Sequence, residues 1–207
     1  MLSENKKNNA AANNNFYKII NWNIHVKLFR LYFKNICEQA KKDGFFEALY
    51  VSQDDNNRQI QLFSGQHPIR THTKTHNTPG QKINIEHGAA LVLSQSDLGD
   101  VAIILYPYTS ENLTRIQPNI IWSIYSDPTK ITDSVLKAAT QDFFRYIRVS
   151  SAIFSESKLD QYRIQYLELK SKKYTENKSL AKFIYSDWLW KLLGGISSII
   201  TIYAIFK

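Results

Sequence analysis

Four of the five histidines, His67, His72, His76 and His87, fall between positions 67 and 87. Histidine changes charge near neutral pH and is the commonest metal ligand, so such crowding is the first place to look for chemistry. A zinc site would draw on His67, His72 and His76. The spacing follows no metal signature, however. There is no His-Glu-x-x-His, no cysteine pair, and Glu86 is the one acidic residue nearby. A second reading fits better. The run Ile69-Arg70-Thr71-His72-Thr73-Lys74-Thr75-His76 alternates strictly, so an extended backbone would put Arg70, His72, Lys74 and His76 on one face. A divalent cation beside an arginine and a lysine is electrostatically poor, whereas a phosphate, a lipid headgroup or an acidic partner is well matched. Arg70, His72, Lys74 and His76 are therefore the candidate anion-binding set, with no cofactor implied.

Other templates fail. With seven glycines in the whole chain there is no Gly-rich phosphate loop, and no G-x-S-x-G elbow is present. Asp54, Asp55, Asp97 and Asp100 sit in turn compositions, where acids ordinarily serve the turn. His25 is a lone histidine among apolar residues. Basic and aromatic residues are plentiful, yet no recognition-helix or RNP-type pattern occurs, which argues against nucleic acid.

The elements that would position the histidines are local and regular. Residues 47–53 and 58–63 read as strands joined by Asp54-Asp55-Asn56-Asn57. Residues 88–95 and 100–106 read as a second hairpin around Ser96-Asp97-Leu98-Gly99, with Gly99 in the left-handed conformation. These two strands are apolar on both faces, as central strands are, and Pro107 ends the second. Residues 119–126 make a fifth strand, broken at Asp127-Pro128. Upstream, residues 16–42 read as mainly helical, with Phe29, Phe33, Ile36, Cys37 and Ala40 at helical spacing and Gly44 as the stop. The part around Ile24, Val26 and Leu28 alternates like extended chain. Thr132 or Asp133 caps a later helix striped by Val135, Leu136, Ala139, Phe143, Tyr146 and Ile147, and another covers 156–173. Strands grouped between helices indicate an α+β fold, a roughly five-stranded antiparallel meander with helices on its faces. The stretch from Ser64 to Gln81, which holds most of the histidines, has no apolar periodicity and reads as a long loop or a charged edge ribbon.

Composition sets the outer limits. The chain has 207 residues, a net charge of +8 and one cysteine, Cys37, so no internal disulfide can form. Residues 1–15 are polar and Asn-rich and are expected to be a disordered lead, with no secretory signal. The remainder divides into an α+β cytoplasmic domain at 16–155, a basic helical juxtamembrane segment at 156–187, and an apolar segment at 188–206. That last segment, WLWKLLGGISSIITIYAIF, would extend roughly 28 Å as a helix rising about 1.5 Å per residue, close to a hydrocarbon thickness. Trp188 and Trp190 suit the headgroup level, and Lys191 can snorkel to it. From Lys158 to Lys191 there are eight basic and four acidic residues, and Lys207 alone follows the apolar run. The positive-inside rule then keeps the domain cytoplasmic, and the basic segment is drawn to anionic lipids.

The expectation is a single-pass, membrane-tethered, non-enzymatic binding or sensor module. Its partners would be anionic lipid and a protein or small anionic ligand. Gly194-Gly195 and Ser197-Ser198 permit close helix approach and so homo-oligomerisation as a membrane effector. The competing expectation is a membrane-proximal hydrolase acting on a phosphorylated substrate through the His-rich segment.

Overall fold

The Asp54-Asp55-Asn56-Asn57 turn closes as its composition demands: Asp54 Oδ1 accepts from the Asn57 backbone N–H at 3.1 Å, and Oδ2 accepts from the Asn57 side chain at 2.7 Å. It joins β1 (Leu49–Asp54) to β2 (Gln59–Ser64). The computed structural model describes residues 2–74, 81–110 and 117–176. The second hairpin is equally local. Its strands are β5 (Ala90–Gln95) and β6 (Val101–Tyr106), buried along their whole length, and Gly99 in their turn has φ +86°. With β8 (Ile120–Tyr125) these strands form an antiparallel sheet in the order β1-β2-β5-β6-β8. The protein is thus α+β, with a five-stranded antiparallel sheet and, among the described residues, three α-helices.

All three helices feed one core. They are α1 (Leu2–Lys42), α2 (Asp133–Ser150) and α3 (Lys158–Glu176). Trp22, Val26, Phe29 and Phe33 of α1, Phe143 and Tyr146 of α2, and Ile164 and Leu167 of α3 pack with Ile60, Leu62, Leu91, Leu93, Ile103 and Leu105 of the sheet. The opposite sheet face carries a separate small cluster of Ala90, Val92, Ala102, Ile104 and Tyr106, to which no described helix contributes. Helices on both faces were expected; the described ones share one face. α3 also covers the β8 edge. Ser171 Oγ accepts from the Ile121 N–H at 2.9 Å, and Lys170 Nζ donates to the Trp122 carbonyl at 2.9 Å. An edge strand otherwise left open is thereby closed.

One further expectation is corrected. Ile24, Val26 and Leu28 are helical rather than extended, within an α1 that begins at Leu2. A helix anchored by buried Trp22, Val26 and Phe29 propagates beyond its anchored part at little nucleation cost. It ends as foreseen at Gly44, where the Phe45 N–H reaches back to the Ala40 carbonyl at 2.8 Å. Of the two readings of the Ser64–Gln81 stretch, its described part forms the ribbon: β3 (His67–Lys74) pairs with β4 (Gln81–His87), and β7 (Thr109–Ser110) adds beside β4.

The three-stranded sheet continues the centre of the larger one past a bend. Phe63 lies opposite Ala90, the Ser64 N–H bonds the Ala89 carbonyl at 3.0 Å, and His67 then lies opposite Glu86 in the same register. Likewise Ala90 faces Tyr106, and beyond Pro107 Glu86 faces Ser110. The bend requires two strands to nearly touch. A Cβ on Gly88 would overlap the Ser64 carbonyl and sit 2.6 Å from the Gly65 carbonyl, so no larger residue fits there. Thr132 is the N-cap of α2 but makes no side-chain capping bond; its hydroxyl instead meets Ser134 Oγ at 2.8 Å.

Candidate functional site

The bend gathers polar side chains from five separate places. Glu47 precedes β1, His67 opens β3, Glu86 lies in β4, Tyr108 links β6 to β7, and Ser151 follows α2. All five are buried. His67 stands between the two carboxylates. Its Nδ1 faces Glu47 Oε1, and its Nε2 is 2.7 Å from Glu86 Oε2. The Tyr108 hydroxyl donates to the other oxygen of Glu47. Glu86 accepts also from Ser151 Oγ at 2.8 Å and from the Ala152 N–H at 3.0 Å. Rings wall the cluster: Tyr108 lies 5.1 Å from the His67 ring centroid and Phe154 6.2 Å, edge-on.

The donor count dictates what this cluster can do. Each carboxylate is met by the imidazole on one side and by hydroxyl or backbone N–H donors on the other, so every group in the cluster has a partner. Tyr108 donates to Glu47, and Ser151 and Ala152 donate to Glu86. Burial pushes the Tyr108 hydroxyl well above the usual tyrosine range, against a smaller lowering by its bond with Ser64. It therefore stays a neutral donor. Both ring nitrogens of His67 are turned to carboxylates, so the arrangement ties the bend together.

A second buried acid organises the helices. Burial works against the charge of Asp142, yet bonds from Arg163, Trp122 and Arg145 outweigh it and hold its carboxyl below the usual range. Arg163 is bidentate, with Nη2 at 2.7 Å from Oδ2 and Nε at 3.0 Å from Oδ1. Trp122 Nε1 donates to Oδ2 at 2.9 Å and Arg145 Nη1 to Oδ1 at 2.7 Å. Asp160, at the start of α3, takes two 2.9 Å bonds from Arg148. Chiefly through Arg148, its pKa is lowered to about 2. Its N–H bonds Ser157 Oγ at 3.1 Å, and the Ser157 N–H returns to its carboxylate, a capping box that starts α3.

The expected anion-binding residues are only partly placed. β3 carries Arg70, His72 and Lys74 in its backbone; their side chains, and His76 altogether, lie outside the described residues. A register shift between Ile69 and His72 interrupts the pairing of β3 with β4 within the run expected to alternate strictly. His67, the remaining member of the alternative zinc set, has both nitrogens on carboxylates. Among the described residues no group of three or more His, Cys, Asp or Glu is arranged to hold a metal ion. His87 is half-buried, and its Nδ1 has no partner among the described residues. Trp188, Trp190 and Lys191 lie outside the described residues, within which no helix is long and apolar enough to cross a membrane. Glu47, Tyr108 and Ser151 were not foreseen. Glu47 left one signal, a single acid inside the otherwise apolar run Phe45-Phe46-Glu47-Ala48-Leu49-Tyr50. Comparison of the chain with protein-family models, curated proteins and solved structures finds no match.

Proposed function

We propose that the chain is a membrane-tethered, non-enzymatic binding module, with its α+β domain on the cytoplasmic side and residues 188–206 as the tether. The observation that carries this reading is the two-sided character of α3. Asp160, Ile164, Leu167 and Ser171 are buried, while Leu159, Tyr162, Tyr166 and Leu169 recur at helical spacing on the far side and are exposed. Lys158, Lys172 and Lys173 are exposed on the same helix. An apolar stripe beside lysines suits an interface between water and anionic lipid, and α3 directly precedes the basic stretch that leads into the apolar segment. The non-enzymatic part of the reading is supported by the contacts of His67, both of whose ring nitrogens are turned to Glu47 and Glu86 within the bend. The ligand would be an anion or an acidic protein surface at the β3–β4 ribbon, through Arg70, His72, Lys74 and His76.

Fractionation tests the tether. Full-length protein should sediment with membranes and need detergent for release, and a version ending at Tyr185 should lose that requirement. If full-length protein stays in the supernatant without detergent, the tether is wrong.

A further inference from the structure

α1 has two apolar faces, and among the described residues only one is packed. Trp22, Val26, Phe29 and Phe33 are buried against the sheet. Turned by about half a revolution, at about 100° per residue, lie Tyr17, Ile20, Ile24, Leu28 and Leu31. Of these, Tyr17 is 63% exposed, Ile24 56%, Leu28 58% and Leu31 58%. Five large apolar side chains in one line on an exposed helix are more than scattered surface residues. Their flank is charged with one sign. Lys27, Arg30, Lys34 and Lys41 are all exposed and share one margin of the stripe. Between Asn15 and Lys42 there are six basic residues and a single acid, Glu38, which lies two turns beyond Leu31. Lys18 is engaged with Asp100 at 3.1 Å and leaves the exposed set.

We infer that the outer face of α1 seats on an anionic lipid surface, the apolar stripe entering the headgroup boundary and the basic margin lying along the phosphates. The charges select this occupant. An antiparallel second copy of α1 on the stripe would bring Lys27, Arg30 and Lys34 against their own like, and a parallel one would set them against Asn21, His25 and Gln39; neither orientation offers an acidic row. Anionic headgroups answer them all, and a shallow interfacial helix needs only a stripe one helix wide. The inference rests on the membrane-proximal reading and adds the surface that would face the bilayer.

The test uses the full chain with Cys37→Ala and a single cysteine placed either at Leu28 (L28C) or at Tyr203 (Y203C), each labelled with an environment-sensitive fluorophore. Vesicles of phosphatidylcholine alone are compared with vesicles containing phosphatidylserine and a lipid-borne quencher. The label at 28 should shift to the blue and be quenched only with the anionic vesicles. Lys27→Glu/Arg30→Glu/Lys34→Glu should weaken that response roughly a hundredfold. If the label at 203 is quenched while the label at 28 stays in water, the inference fails and the tether stands. If the label at 28 responds and that at 203 does not, the tether fails and the inference stands. A shift at 28 that grows with protein concentration without vesicles assigns the stripe to a second copy and overturns the proposal. So does a shift produced by polyglutamate but by no vesicle, which assigns it to an acidic protein.

Discussion

The bend and the outer face of α1 hold opposite kinds of residue in opposite surroundings. At the bend, glutamates, a histidine and hydroxyls are buried; on α1, isoleucine, leucine and tyrosine face water. Each reverses the usual placement, and each has a different remedy. The buried polar groups satisfy one another, as groups removed from water must. The exposed apolar groups find no such partner among the described residues, and apolar attraction is gained only by leaving water. A polar cluster can be complete within one chain. An apolar stripe on a surface helix is completed by something else. That difference is why the bend reads as structure and why the helix face is the one proposed as a contact surface.

Removing one member of the bend should have the largest effect. Glu86→Leu leaves His67 Nε2, Ser151 Oγ and the Ala152 N–H without their acceptor in a buried site. The expected loss is about 3–5 kcal/mol of unfolding free energy, read from urea denaturation. His67→Leu in the same background should cost much less than it does alone, because the two share one network. If the two losses simply add, the cluster is not a coupled unit.

A middle effect belongs to the α2–α3 contact, which is polar like the bend but half open to solvent at its arginines. The folded carboxyl of Asp160 is depressed to about 2, whereas an unfolded aspartate titrates near 4. Its contribution is therefore complete above about pH 4 and disappears as pH falls through about 2. Discounted for the solvent around Arg148, it amounts to about 1 kcal/mol. Arg148→Gln should remove that part of the acid sensitivity between pH 4 and 2. An unchanged acid profile would show that the pair does not link α2 to α3.

How far the sequence announced all this depended on range. The hairpin turns at Asp54–Asn57 and Ser96–Gly99 are written in adjacent residues, and both form. β5 and β6 declared their central position by being apolar on both faces. The bend was hidden because Glu47, His67, Glu86, Tyr108 and Ser151 come from five segments, joined only by a register that continues past Gly65 and Gly88. No local pattern encodes such a meeting. The middle of α1 was misread for a definite reason. Two helical stripes on opposite sides, Trp22/Val26 and Ile24/Leu28, place an apolar residue at every second position, which imitates the alternation of a strand. The second stripe was thus visible in the sequence but disguised by the first.

The smallest effect is expected where the contrast with the bend is sharpest. Ile24→Ser with Leu28→Ser removes two large apolar side chains, a change that in the core would cost several kcal/mol. Both are more than half exposed and belong to neither core cluster. Serine's lower helix propensity is the only intrinsic penalty, a few tenths of a kcal/mol per site. Unfolding free energy of the full chain in detergent should therefore change by less than about 1 kcal/mol. A drop of several kcal/mol would mean that the stripe is already packed within the protein and has no room for an outside partner. Unchanged stability together with a lost response to anionic vesicles would separate what holds α1 to the sheet from what its other face is for.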